Sequence, residues 1–162
     1  MTHTIAALDS ALVDPNQLSE TGEPTPGLRL RWGWLGLWAF LTVFAVFEVA
    51  KHGFVNGSPL YAIALTVTAV GSFVAPDLTF LIGAGDTVAK GSISARAVPC
   101  YNAMHRMLIA FAFTTAIGIG LAPLAPLALA IFIGGLSWMA HIAMDRAAGY
   151  GLRNSDGSRN RH

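Results

Sequence analysis

Residues 124–148 read LAPLALAIFIGGLSWMAHIAMDRAA. No Asp, Glu, Lys or Arg interrupts this stretch before Asp145. A helix needs roughly 20 predominantly apolar residues to cross a bilayer, so the stretch predicts a membrane span. Its last turns differ from the rest. Ser137, His141 and Asp145 recur every four residues and share one helix face. Ionisable groups at membrane depth are costly, and they raise a functional hypothesis by default.

Composition agrees with a membrane protein. The chain has 162 residues, 54% of them hydrophobic and 12% charged, with a mean hydropathy of +0.55. Soluble domains carry roughly 25% charge. One domain suffices for this length. A net charge of +1 with no basic stripe argues against a nucleic-acid partner. The single cysteine, Cys100, excludes an intramolecular disulfide and a cysteine-rich metal site.

Working outward, three further apolar segments appear. Segment one runs from about Trp34 to Val49, with Trp32, Trp34 and Trp38 placed as an interfacial aromatic belt. Segment two runs from about Pro59 to Ile82. Stopping it at Ala75 leaves too little length to span, so a kink at Pro76 with the chain continuing is expected. Residues 83–98 are rich in Gly, Ser and Ala and read as a loop or short interfacial helix. Segment three runs from about Pro99 to Leu121, and Pro123 and Pro126 make a tight connection to segment four. Gly149 and Gly151 end that last helix. The expected architecture is all-α: a four-transmembrane-helix bundle over residues 31–152, a flexible acidic tail over 1–30 and a polar tail over 153–162.

Basic residues orient such a bundle, because cytoplasmic loops carry an excess of Lys and Arg. Arg29, Arg31, Lys90, Arg96, Arg106, Arg146, Arg153, Arg159 and Arg161 fall at one end, and only Lys51 at the other. Both termini are therefore expected on the cytoplasmic side of the plasma membrane. Glu48 and Lys51, three residues apart at the opposite end, read as a helix-end pair.

Orientation brings polar groups from three segments to one depth. Asp77 lies in the cytoplasmic half of segment two, His105 near the start of segment three, and His141 and Asp145 at the end of segment four. Two imidazoles and two carboxylates can hold a divalent metal such as zinc with a position open to water. Without a metal, His141 oriented by Asp145 can act as general acid or base, with Asp77 as a second acid. Tyr101, Asn102 and Trp138 are the candidate substrate contacts. Each residue also has a plainer reading: Asp77 as a helix cap, His105 and His141 as interfacial side chains bonded to neighbours, Asn102 as an interhelical hydrogen-bond partner, Tyr101 and Trp138 as belt residues, and Asp145–Arg146 as an interfacial ion pair.

Three motifs carry a resemblance: Pro76-Asp77-Leu78, Tyr101-Asn102-x-x-His105, and His141-Ile142-x-x-Asp145-Arg146-x-x-Gly149-Tyr150-Gly151-Leu152. Together they resemble the small bacterial integral-membrane proteins of the domain of unknown function 4260 family, over roughly residues 34–153. The resemblance implies that Asp77, Asn102, His105, His141 and Asp145 are the characteristic polar positions. The acidic N-terminal extension falls outside that pattern, and so does the position of Glu48.

Two classes of function are compatible with this reading. The first is a membrane-embedded enzyme acting at the cytoplasmic face on a lipid-like or terpenoid substrate, by metal-assisted hydrolysis or by acid/base isomerisation or cyclisation. The second is a non-catalytic membrane component: an accessory subunit, a small-ligand binder or a proton-coupled carrier. A carrier built from so few helices, without inverted repeats, is expected to need a homo-oligomer.

Overall fold

A computed structural model describes residues 26–120 and 125–159, with side chains from 30–117 and 126–159. The acidic N-terminal tail and the Pro123 connection thus lie largely outside the described residues. Among the described residues five α-helices follow in order: α1 (Pro26–Val49), α2 (Pro59–Val74), α3 (Val98–Met104), α4 (Met107–Gly120) and α5 (Ala125–Ala147). Among the described residues there is no strand, only an isolated bridge between Arg153 and Arg159. Three helical runs are long and apolar enough to cross a membrane: Leu30–Val55, Pro59–Gly83 and Pro126–Ala147. The apolar part of α4, Met107–Ile117, is shorter.

Local chemistry sets the ends of these elements. Ser58 caps α2 by accepting from the Tyr61 amide at 3.3 Å, and Pro59 occupies the first turn, where a missing N–H costs nothing. The α-helix ends at Val74, and the chain tightens into a 3-10 helix over Ala75–Gly83. Pro76 sits inside this change and cannot donate a helical hydrogen bond. At the end of α5, Gly149 takes φ +85°. The Tyr150 amide donates to Asp145 O at 2.7 Å and the Gly149 amide to Arg146 O at 3.1 Å. This is the paired pattern of a Schellman stop.

Segment three departs from expectation. A single helix from Pro99 is interrupted at His105–Arg106, between α3 and α4. The carbonyls near the break are taken up by side chains of α5. Trp138 Nε1 donates to Met104 O at 2.7 Å, and Arg146 Nη2 donates to His105 O at 3.1 Å. Side-chain insertion into the backbone ladder is a recognised cause of helix breaks.

α5 is the central element. Its span is mostly buried, whereas the spans of α1 and α2 are mostly exposed. Leu41 and Ala45 of α1, Ala110 of α4 and Leu136, Met139, Ala140 and Ile142 of α5 form the core. Glycine permits the close approach. A Cβ on Gly134 would press on Ser72 and Thr68 of α2, and one on Gly135 would collide with Thr114 of α4. The outer faces carry exposed Phe40, Val43, Leu60, Val67, Leu108 and Phe111. Apolar side chains facing outward, with backbone polar groups paired inside helices, suit a hydrocarbon environment.

The two ends of the molecule differ. At the Lys51 end, a π-helical turn over Ala50–Val55 follows α1. Glu48 pairs there with His52 at 3.3 Å rather than with Lys51, which lies over the Phe47 ring at 5.8 Å. At the other end, Arg31 Nε donates to Ala147 O, so α1 begins where α5 finishes. The polar C-terminal segment is docked. Asn102 Nδ2 donates to Arg153 O at 2.8 Å, and the Arg153 amide donates to Asn102 Oδ1 at 2.7 Å. The Ile93 amide donates to Gly157 O at 3.1 Å.

Candidate functional site: a His/Asp cluster at the basic end

Three elements contribute to one cluster. Asp77 comes from the 3-10 helix after α2, His105 from the break between α3 and α4, and His141 and Asp145 from successive turns of α5. The 3-10 segment carries the chain past Pro76 toward the last turns of α5. The break in segment three lets the His105 ring enter the interior while its carbonyl remains bonded to Arg146.

The two imidazoles are 2% and 1% exposed, for His105 and His141. Their Nε2 atoms stand 3.4 Å apart. Asp77 Oδ1 is 3.9 Å from His105 Nε2 and 3.6 Å from His141 Nε2. Asp145 Oδ2 is 3.2 Å and 3.7 Å from the same two atoms. The Asp77 side chain is 49% exposed and that of Asp145 is 17% exposed, so the cluster opens on the Asp77 side.

Metal geometry can be tested against these separations. The ligand atoms of Asp77, His105 and His141 all lie within 4.8 Å of one another. Their three separations define a circle of radius about 2.1 Å, within the zinc–nitrogen and zinc–oxygen bond range of about 2.0–2.2 Å. The His105, His141 and Asp145 triangle gives a radius of about 2.0 Å. In both triads the ligand atoms are thus spaced as a divalent ion would need them.

The neighbours of the imidazoles bear on the same question. His105 Nδ1 lies 2.8 Å from Tyr101 O. A carbonyl can only accept, so Nδ1 carries a proton, and in the neutral ring Nε2 then presents a lone pair to the cluster. That arrangement is usual for a metal-bound histidine. The Tyr101 ring stacks on His105 with centroids 3.8 Å apart, and Phe73 meets the His141 ring edge-on at 5.3 Å. Among the described residues, His141 Nδ1 is buried without a partner. Two carboxylates beside two imidazoles also leave the cluster negative unless a cation or a proton joins it.

Asp77, His105, His141 and Asp145 are therefore brought together, with Tyr101 against them. Asn102 and Trp138 spend their polar atoms elsewhere. Asn102 bonds the Arg153 backbone, and Trp138 bonds Met104 O while its ring meets Phe113. Arg146 makes no ion pair with Asp145 and bonds the carbonyls of His105 and Tyr150 instead. Two contributors were not visible in the sequence. Phe73 lines the His141 ring, and Arg153 lies over the Tyr101 ring at 5.6 Å. Only the aromatic spacing around Pro76 and the arginine two residues beyond Gly151 hinted at them.

An apolar cleft of about 410 Å³ runs between α1, α2 and α5. Thr42, Ala45, Thr66, Phe73, Ser137 and Ala140 are among its lining residues. Phe73 and Ala140 connect it to His141, the first by ring contact and the second along the chain.

The comparisons accord with the motifs. Residues 64–162 match the family described as Domain of unknown function (DUF4260), and that span contains Asp77, His105, His141 and Asp145. No curated protein and no solved structure matches the chain. With more than half of its length matched, and with every member of the cluster inside that match, the chain belongs to the domain of unknown function 4260 family.

Proposed function

We propose that the protein is a membrane-embedded hydrolase that uses a divalent metal at the His/Asp cluster to cleave an ester or phosphoester in a lipid-like substrate. The observation that carries this reading is the pair of triads whose separations match zinc coordination distances. His105, His141 and Asp77 would hold the ion, and Asp145 would either complete the set or take a proton from an attacking water. A bound metal supplies Lewis acidity and a lowered water pKa. The exposed Asp77 side is the entry for water, and the apolar cleft beside Phe73 suits the substrate's chain.

The membrane arrangement belongs to the same proposal. Four spans, with the segment-three helices as the fourth and a kink at Pro76, would place the cluster and both termini on the cytoplasmic side of the plasma membrane. The support is the grouping of nine of the ten basic residues at the cluster's end of the sequence map.

One observation favours a metal-free variant. The unpartnered His141 Nδ1 has no acceptor for a proton, which the metal-bound tautomer would place there. With the proton on Nε2, a neutral His141 would donate to Asp145, and a protonated Asp77 would be the general acid for isomerising or cyclising a terpenoid.

The test uses the full chain in nanodiscs. The metal reading expects about one zinc per chain and chelator-sensitive hydrolysis of micellar p-nitrophenyl decanoate or bis-(p-nitrophenyl) phosphate. Folded His105→Ala and His141→Ala variants should lose both. Variants that keep metal and activity would overturn the hydrolase reading, and a wild type with no metal affinity would leave the acid/base variant in its place.

A further inference from the structure

Beyond the His/Asp cluster, the C-terminal segment builds a second polar feature. Arg153 and Arg159 face each other across the isolated antiparallel bridge. Residues directly opposite in such a pair project to the same side, and like charges there repel. Among the described residues, no carboxylate lies within ion-pair distance of either guanidinium. Both arginines line one cavity of about 310 Å³, with Phe80, Gly83, Gly91 and Ser94 among its other walls.

The arrangement is rigidly held. Asn102 clamps the Arg153 backbone through two hydrogen bonds. Arg153 Nη1 donates to Gly91 O at 2.7 Å, and its guanidinium lies over the Tyr101 ring. Arg153 Nε is buried and has no acceptor among the described residues. Arg159 lies over the Tyr150 ring at 5.1 Å. Two guanidinium groups oriented by aromatic rings, with donors to spare and repulsion to relieve, are arranged for a multivalent oxyanion.

We propose that Arg153 and Arg159 form a binding site for a phosphate-class anion. Tyr101 touches both features: its ring stacks on His105 with centroids 3.8 Å apart and lies 5.6 Å from the Arg153 guanidinium. A phosphate held by the arginines is therefore one aromatic ring away from the imidazoles. On the hydrolase reading, which this extension rests on, the substrate is an amphiphile whose phosphate sits at Arg153 and Arg159 while the bond to be cleaved reaches the cluster. The phosphate can belong to a lipid headgroup or to a soluble phosphate compound, since both present the same oxygens.

The experiment measures anion binding by the full chain in phosphatidylcholine nanodiscs. Inorganic pyrophosphate is titrated by calorimetry, and nanodiscs doped with phosphatidic acid are compared with undoped ones by thermal shift. Arg153→Gln/Arg159→Gln should weaken binding about tenfold or more, and Arg159→Gln alone should weaken it less. Lys90→Gln, which removes a nearby positive charge outside the cavity, should change it little. Binding of pyrophosphate identifies a soluble phosphate source, and a response to phosphatidic acid alone identifies a headgroup. No response to either probe overturns the proposal, as does an equal loss in Lys90→Gln. Zinc content separates this result from the hydrolase reading. The double arginine variant should keep its metal, and His105→Ala should lose metal while still binding the anion. If Arg153→Gln unfolds the segment, Arg159→Gln and Arg153→Lys carry the same test, because neither removes the Gly91 anchor together with the charge.

Discussion

Gly135 holds α4 close enough to α5 for His105 to reach His141, and adding one methyl group there should separate them. An ideal Cβ on Gly135 would lie 2.6 Å from Thr114 Cβ and would overlap Thr114 Oγ1 and Cγ2. The α4 backbone must then retreat by roughly 1 Å to restore van der Waals contact. Overpacking of this kind costs about 1–3 kcal/mol. Thr114→Ala removes Oγ1 and Cγ2 but leaves the Cβ contact, so it should restore Gly135→Ala only in part. Thr114→Gly removes the contact entirely at a helix-propensity cost of about 1 kcal/mol. The Gly135→Ala/Thr114→Gly pair should therefore be more stable than the sum of the single changes by about 1 kcal/mol or more. Reversible unfolding in mixed micelles, followed by tryptophan emission, measures each corner of the cycle. Metal affinity measured on the same samples should fall in Gly135→Ala and recover in the double variant. Effects that add to within about 0.5 kcal/mol, or a neutral Gly135→Ala, would refute the close-approach argument.

Other outcomes follow from the same geometry. His105→Ala should destabilise the protein by about 2–3 kcal/mol through the lost Nδ1 hydrogen bond and the lost ring stack, and should abolish zinc retention after dialysis, read by elemental analysis. Asn102→Leu should release the C-terminal segment, raising amide exchange over residues 150–159 while leaving α5 protected. Asp86 accepts hydrogen bonds from Ser94 and from Arg96, which hold its carboxyl below the ordinary aspartate range. A carboxyl with a depressed folded-state pKa adds stability above the unfolded value and loses it as pH falls through the folded one. Protease cleavage within 84–97 should therefore rise below about pH 4, and Asp86→Asn should cleave readily at neutral pH and flatten the profile.

Much of this architecture was legible from local chemistry. The uncharged runs located the long helices, Pro59 marked the start of α2, and Gly149 marked the stop of α5, because helix ends depend on adjacent residues. The polar positions of the cluster were legible too, since carboxylates and histidines in apolar segments stand out. The break at His105 was not. No Pro or Gly marks it, and it depends on Trp138 and Arg146, which lie more than thirty residues away in sequence. The roles of Asn102, Trp138 and Arg146 were unreadable for the same reason. Their polar atoms serve backbone groups that only the tertiary structure brings near. Glu48 could have chosen either of two neighbours, and the π-helical turn decided for His52.

The central position of α5 has a consequence for how the molecule is made. Synthesis produces α1, α2 and α4 before the helix against which they pack. Until α5 emerges, Asp77 and His105 have no His141 or Asp145 to meet, and the carbonyls of Met104 and His105 lack the side chains that bond them. With the membrane arrangement proposed above, the early helices would wait in the bilayer as loosely associated hairpins, held by their own hydropathy. Assembly should be concerted and late, triggered by insertion of one helix that completes the core, closes the broken segment and assembles the cluster together. Nascent chains arrested before residue 125 should consequently be sensitive to membrane proteases, and those extended past residue 153 should be resistant.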